Sequence, residues 1–199
     1  ARPSVDPPWE IVSLEDYRRR YAWYRTDEDL QALSASAPSI SMWDDHEVTN
    51  DVWMGGAANH QPEKEGNFSV RKAAALQAYH EWLPTRVGAV PAGGEAAAAP
   101  SEDAQTTWRR YDFGDLATLL MLETRLRGRT SQLEFTGGMV RKRLAEIVAA
   151  PGAPAPDRWN GTDLERRLLA LKREGEAEAS RPEKSILGTE QLQWIRTTL

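Results

Sequence analysis

Cysteine is absent from all 199 residues, which removes disulfides, thiol catalysis and cysteine-ligated zinc from what these residues can do, without saying anything about compartment. Long apolar runs are missing as well: nothing approaches the ~18 residues needed to span a bilayer. Positive charge is in deficit, with 25 Lys and Arg against 30 Asp and Glu, a net charge of −5 and a pI near 5.4. That balance argues against nucleic acid or an anionic membrane as partner, both of which call for basic patches. An anionic substrate would need bound cations to make its pocket locally positive. There are no internal repeats and no recognisable leader. The chain opens on Ala1 and is expected to be an excerpt or a processed form, so the missing leader carries no message about location.

What is present is the composition of a globular protein, 40% hydrophobic and 28% charged. The length suits about one domain, able to bury roughly 70% of its unfolded surface. After a Pro-rich entry, Ser13 with Asp16 three residues on forms a capping-box pattern. Leu14, Tyr17, Tyr21 and Tyr24 then fall on one helical face, predicting a helix over 14–25. Asp27 opens a second short helix through Leu33, and the alternation over 39–43 predicts a strand that Pro38 precedes. Residues 52–67 read as loop. Ser69 caps an Ala-rich helix that Pro84 ends. Residues 87–104 are Ala/Gly/Pro-rich and predict a low-complexity, mobile loop.

Residues 108–113 alternate as a strand. After the Gly114-Asp115 turn, residues 116–122 form an almost unbroken apolar run, the pattern of a strand buried on both faces. In the stretch 131–185, two helices are expected, over 139–149 and 162–175, the second a charged, solvated one. A last amphipathic helix over 188–199 has Thr189 as cap and Leu192, Ile195 and Leu199 as its stripe. Strands interleaved with helices indicate an α/β fold, helices layered on sheet.

Chemistry concentrates between Asp44 and Asp51, where Asp44, Asp45, Glu47 and Asp51 stand with His46 and Asn50. Four carboxylates so close repel one another unless solvated or bound to cations. The apolar Met42, Trp43, Val48, Val52 and Trp53 on either side make full solvation difficult. The C-terminal end of a strand is also where open α/β sheets hold their ligands. Oxygen donors suit calcium, magnesium, manganese or iron, and an imidazole adds a borderline ligand or a phosphate contact. The plainer reading is an ordinary acidic loop. His46-Glu47-Val48-Thr49-Asn50 falls short of a His-Glu-x-x-His zinc motif because Asn50 replaces the second imidazole. An EF-hand loop fails on its glycine and terminal glutamate.

Trp43-Asp44-Asp45-His46-Glu47-Val48 resembles the core of the PhoD-type alkaline phosphatases, members of the binuclear metallophosphoesterase superfamily. The likeness extends in order through Ser13-Leu14-Glu15-Asp16-Tyr17-Arg18, Asp29-Leu30-Gln31-Ala32-Leu33, Arg71-Lys72-Ala73-Ala74 with Tyr79 and Leu83-Pro84, and Tyr111-Asp112-Phe113-Gly114-Asp115-Leu116. It continues in Met121-Leu122-Glu123-Thr124-Arg125 and in Leu187-Gly188 with Gln191 and Trp194. It covers most of the chain outside 87–104 and 131–184.

The resemblance implies a partial metallophosphoesterase fold with mixed β-sheets flanked by helices, residues 1–199 being the central part of a single catalytic domain and 131–185 a helical insertion. It implies Fe³⁺ and Ca²⁺ as metal ions, a small phosphoester as substrate, and a periplasmic or secreted location; the expected state is a monomer. Carried over by residue, Asp45 is a metal ligand, His46 the acid or transition-state contact, and Asp44 a ligand or an orienter of His46. In an extended segment Asp45 and His46 would face opposite ways, so the chain must turn there.

Arg125 at the end of the apolar strand is a candidate phosphate clamp, equally readable as an ion pair tying strand to loop. The family commonly has aspartate where Glu123 stands, which leaves the role of Glu123 open. His80 reads as structural, and His60 as a solvated loop residue, with a place at the rim of the site as the alternative. Further ligands in the family, a thiolate and a Gly-Asp-x-His segment among them, have no counterpart here, so the 199 residues alone are expected to be catalytically incomplete. The alternative is a non-catalytic domain in which metal stabilises a loop.

Overall fold

The computed structural model describes residues 4–85, 108–131, 137–149 and 160–199, together with 152, 155 and 158; side chains of helix residues 137–141 are not described. The expected low-complexity loop at 87–104 lies outside the described residues. The chain divides into two units, Ala1–Ser131 with Ile186–Leu199, and Gln132–Ser185.

In the first unit, helix α1 spans Leu14–Tyr24 and starts where its capping box predicts: the Asp16 N–H donates to Ser13 Oγ at 3.2 Å, and the Ser13 N–H to Asp16 Oδ2 at 2.9 Å. Helix α2, Glu28–Ser36, is capped by Asp27 through the Leu30 N–H. Residues 39–43, expected as a strand, pair with no strand among the described residues. Their alternation supplies the right period, but a strand also needs a ladder partner, which local pattern cannot supply.

Residues 52–67, expected as loop, contain a small antiparallel pair, β1 Val52–Trp53 with β2 Gly56–Ala57, and the single turn of helix α3, Pro62–Glu65. Helix α4, Phe68–Trp82, is capped by Asn67 rather than Ser69; the Asn67 carboxamide oxygen accepts from both the N–H and the hydroxyl of Ser69. Tyr17 of α1, Trp43, Val48, Val52 and Leu126 pack with Ala75, Leu76, Ala78 and Tyr79 of α4 to form the core. The Trp43 ring meets Tyr79 edge-on at 5.3 Å.

Strands β3 Arg109–Phe113 and β4 Ala117–Met121 form an antiparallel hairpin, Arg109 opposite Met121 and Phe113 opposite Ala117. The expectation of burial on both faces is overturned: Phe113, Leu116, Leu119 and Leu122 are all exposed. An apolar run records what a strand is fit to cover, and covering needs a second layer, which no described element provides. The sheets seen are therefore two antiparallel pairs among helices, consistent with α/β, and the mixed sheets expected from the resemblance are not among the described residues.

Helix α7, Gly188–Thr198, also differs from its predicted face. Its buried residue is Gln191, flanked by half-buried Trp194, Ile195 and Thr198, while Leu192 and Leu199 are exposed. The helix begins at Leu187 with no side-chain cap, so Thr189 does not cap it. Gly188 adopts φ 72°, and a Cβ on Gly128 would sit 2.1 Å from the Leu187 carbonyl oxygen, so the segment before α7 lies directly on the loop that follows β4.

In the second unit, α5 spans Gly137–Val148 and α6 spans Asp163–Ala179, the latter capped by Thr162 through the Glu165 N–H. Ile147, Leu164 and Leu171 form its core with Leu144 and Leu168, at helical spacings of three and four. The charged helix α6 is not solvated all round: Glu178 is buried beside Lys184. No described helix is long and apolar enough to cross a membrane.

Candidate active site

The chain turns at Asp45. The Val48 and Thr49 N–H groups both donate to the Asp45 carbonyl, at 2.9 and 2.8 Å, so residues 45–49 close into a helical turn rather than running extended. The Asp45 side chain, only 10% exposed, accepts the Asp51 N–H through Oδ2 at 2.9 Å, with Asp51 held at φ 54°. Asp51 thus occupies a left-handed conformation that a non-glycine residue adopts at some cost, and the bond to Asp45 is what that conformation permits. His46 faces outward, 76% exposed, its Nε2 3.9 Å from Asp45 Oδ1 and 3.1 Å from Asn50 Oδ1.

Burial pushes the Asp45 carboxyl upward, but the Asp51 N–H bond and then the Arg125 and His46 charges outweigh it, so the group lies below the ordinary aspartate value. Hydrogen bonds and neighbouring cations favour the charged form.

The loop after β4 delivers the fourth residue. Arg125 Nε donates to Asp44 Oδ1 at 2.5 Å, and Arg125 Nη1 stands 3.7 Å from Asp45 Oδ2. Asp44 is otherwise open, 69% exposed, with its backbone N–H held by Glu47 at 2.7 Å. All four residues singled out in the sequence, Asp44, Asp45, His46 and Arg125, therefore meet at one turn. The arrangement of Arg125 is the ion pair between strand end and loop, and the same guanidinium offers the two-pronged donor face that oxyanions select.

Sequence reasoning left Glu123 without a role. It is fully buried; its Oε1 accepts the Trp43 indole N–H at 2.8 Å and the backbone N–H groups of Arg125 and Leu126, each at 2.7 Å. Its Oε2 accepts the Arg127 N–H at 2.8 Å. Gln191 of α7 exchanges two bonds with the Glu123 backbone, at 2.8 and 2.6 Å. A charged residue straight after an apolar strand was the available signal, but one of the donors that converge on it, the Trp43 indole, comes from a segment 80 residues away.

Behind the turn, buried Arg71 of α4 binds Tyr17, Glu65, Glu10 and the Asn59 carbonyl, and the Tyr17 hydroxyl donates to the Val48 carbonyl at 2.7 Å. Burial, partly offset by Arg71, raises the Tyr17 phenol to about 12, so it remains a proton donor to Val48. His60, expected to be solvated, has a side chain only 3% exposed, lies 3.1 Å from Glu65 and packs edge-on against Phe68. Loop sequence suggested water, but the Arg71 cluster draws the ring inward. His80 bonds Thr85 Oγ1 at 2.7 Å and stands edge-on to Trp43. The Lys72 ammonium reaches the Met54 and Leu126 carbonyls, tying the β1–β2 loop to the loop after β4.

The donor set, two carboxylates, an amide and an imidazole, fits hard or borderline cations. Asp45 Oδ1 is the oxygen of the buried carboxylate that does not hold the Asp51 N–H. Among the described residues, no three His, Cys, Asp or Glu side chains converge to hold a metal ion. The turn thus fits as a share of a metal shell, on the order of one ligand against the six to eight that calcium alone takes.

Comparison with known proteins gives the chain its relatives. A model of the PhoD-like phosphatase family matches residues 1–199. The chain is 40% identical over 119 residues to alkaline phosphatase D of Bacillus subtilis (strain 168), covering 58% of this chain and 18% of that protein. A solved structure described as the structure of PhoD superposes with a TM-score of 0.60 at 28% identity, covering 96% of this chain and 28% of its own. The chain spans less than a third of the length of either relative.

Proposed function

The chain belongs to the PhoD-like phosphatase family, whose model matches it over residues 1–199, and from that premise we propose that it carries part of the active site of a metal-dependent hydrolase of small phosphate esters, an alkaline phosphatase or phosphodiesterase. The observation that carries this reading is the meeting of Asp44, Asp45, His46 and Arg125 at the turn after Trp43. In it, residues 1–199 are the central part of one catalytic domain and 131–185 an inserted helical segment. Fe³⁺ and Ca²⁺ are the cations that the family likeness suggests, and an exported protein is its suggested setting.

Asp45 would hold a cation through Oδ1, with Asp44 beside it through the carboxylate oxygen that does not accept from Arg125. When bound, such cations supply Lewis acidity toward the phosphoryl group and an activated water. The chain's own contributions are distinct. The Asp51 N–H fixes the Asp45 carboxylate so that it need not reorganise. The exposed His46 ring reaches the leaving oxygen and gives it a proton, or contacts the phosphoryl group. Arg125 presents paired N–H donors to the phosphoryl oxygens.

One observation favours a second reading: Arg125 already neutralises Asp44, as it would in a non-catalytic, metal-stabilised structural or binding domain. His46→Ala separates the two, because the ring is exposed and its loss leaves the turn's backbone bonds in place. With protein expressed from its complete gene, the variant should lose about 10²–10⁴-fold in turnover of aryl phosphate mono- or diesters, with an unchanged melting temperature. Equal turnover in both proteins, or none in either while metal still raises the melting temperature, would favour the non-catalytic domain. Asp45→Asn is the less clean probe, since Asp45 also closes the turn through Asp51. Elemental analysis of the same preparation identifies the metals.

A further inference from the structure

Burying a carboxylate costs several kcal/mol unless donors replace its lost water. A strand end that only needed filling would take an apolar side chain. Glu123 instead lies wholly buried with four N–H donors on its two oxygens. Those donors come from the two segments that meet at the candidate site. One is the indole of Trp43, the residue before Asp44. Another is the backbone N–H of Arg125, whose guanidinium reaches Asp44 and Asp45.

We propose that Glu123 is a positioning residue for the hydrolysis proposed above: it locks the turn at 123–127 so that Arg125 is held against Asp44 and Asp45, and it seats Trp43 so that the acidic turn stays in register with that guanidinium. The inference rests on the proposed function for its catalytic consequence, but not for its geometric one.

The carboxylate is suited to this task. Oε1 accepts from both segments at once, so the position of Trp43 and that of Arg125 are set by a single atom. The three successive N–H groups from Arg125 to Arg127 all turn inward onto the carboxylate, which removes the freedom of the loop to swing. A guanidinium acts on an oxyanion through directed pairs of bonds, and displacing a reacting group by about 1 Å can cost about 10²-fold in rate.

The experiment compares the protein expressed from its complete gene with Glu123→Gln, Trp43→Phe and Leu76→Ala. The first turns one carboxylate oxygen into a donor that opposes the Arg127 N–H. The second removes the indole donor and keeps the ring packing. Leu76, which packs in the same core and takes part in none of these hydrogen bonds, gives a reference for simple destabilisation. Two readouts are taken below the melting temperature of every variant: kcat/KM on an aryl phosphate, and the rate at which phenylglyoxal modifies Arg125, followed by peptide mass spectrometry. Arg18, 40% exposed against 16% for Arg125, serves as the internal standard.

Glu123→Gln should lower kcat/KM by roughly 10- to 100-fold and speed Arg125 modification severalfold, Trp43→Phe should move both the same way by less, and Leu76→Ala should move neither. Wild-type kcat/KM and unchanged Arg125 reactivity in Glu123→Gln would overturn the proposal, as would equal changes in Leu76→Ala. If the wild type hydrolyses nothing, the proposed function falls and Arg125 reactivity alone decides the positioning role. If Glu123→Gln does not fold, Trp43→Phe decides by the same two readouts.

Discussion

The unit that carries the site and the helical unit at 132–185 hold themselves together by different means. Around the site, fully buried polar side chains bind across long stretches of chain: Arg71 to Tyr17, 54 residues apart, Trp43 to Glu123, 80 apart, and Gln191 to Glu123, 68 apart. In the helical unit the described core is Ile147, Leu164 and Leu171, supported by Leu144 and Leu168, and its ion pairs lie at the surface or, for Glu178 and Lys184, within a few residues of each other. Apolar packing gives stability without direction, whereas a buried bonded charge costs desolvation and fixes orientation. The chain accepts that cost where side chains must be aimed.

The comparison breaks first at Arg71. Arg71→Ala leaves Glu65 and the Tyr17 hydroxyl without their common partner, and the loss should be about 3–5 kcal/mol. It is read by urea titration of the near-ultraviolet circular dichroism, to which the tryptophans around the core contribute. A loss below about 1 kcal/mol, the scale of an exposed pair, would mean that the buried network does not hold this unit. Leu171→Ala comes next. It should cost about 2 kcal/mol, the low end for a leucine truncation, because the cluster is small and can partly collapse. Amide exchange should rise in α6 and stay unchanged in α4. Equal loosening of α4 would erase the distinction between the units.

Much of the helical framework was legible beforehand, and for local reasons. Ser13 with Asp16, and Asp27, satisfy N–H groups of their own first turn, so the sequence near them carries the whole signal. Where the cap was misread, at Ser69, two neighbouring polar residues compete and Asn67 wins by reaching Ser69 from outside the helix. What stayed illegible was non-local: whether 39–43 would find a ladder partner, whether the apolar run of β4 would be covered, and that the buried position on α7 is a glutamine aimed at a distant backbone. The candidate site divides the same way. That Asp45 and His46 need a turn follows from side-chain alternation. That Arg125 lies on Asp44, and that Glu123 gathers Trp43 with three backbone N–H groups, depends on two segments meeting.

The helix caps sharpen the contrast at smaller scale. The Asp16 carboxyl is lowered from 3.8 to about 2: burial acts against the shift, and bonds from Ser13, Trp9 and Val12 outweigh it. A folded-state value below the unfolded one means that the stabilisation is complete above about pH 4 and is lost as pH falls toward 2. Asp16→Asn should therefore cost about 1 kcal/mol at neutral pH, and the gap from wild type should close on acidification. Thr162 caps α6 with an uncharged hydroxyl. Thr162→Ala should cost about the same 1 kcal/mol with no such closure. Denaturant midpoints at pH 7 and pH 3 give both results, and a Thr162 effect that closes on acidification as the Asp16 effect does would show that the Asp16 charge is not what sets the two caps apart.

The smallest effects are expected where the two units resemble each other, in exposed ion pairs between helices. Arg18 grips Glu81 through two bonds, Nε to Oε2 at 2.7 Å and Nη2 to Oε1 at 2.6 Å, linking α1 to α4. Arg143 Nη1 donates to Glu174 Oε2 at 2.7 Å, linking α5 to α6. Both pairs face water, so each should couple by only about 0.2–1 kcal/mol in a double-mutant cycle. The Arg18–Glu81 contact is two-pronged and the less exposed of the two pairs, so it should lie nearer the top of that range and Arg143–Glu174 nearer the bottom. In 1 M salt, where the screening length is about 3 Å, both couplings should shrink together. A coupling of Arg143–Glu174 above that of Arg18–Glu81 would show that bonding geometry does not rank exposed pairs here. A salt-resistant coupling of about 3 kcal/mol in either would mean that surface charge contributes on the scale assigned above to Arg71, and burial would no longer separate the two units.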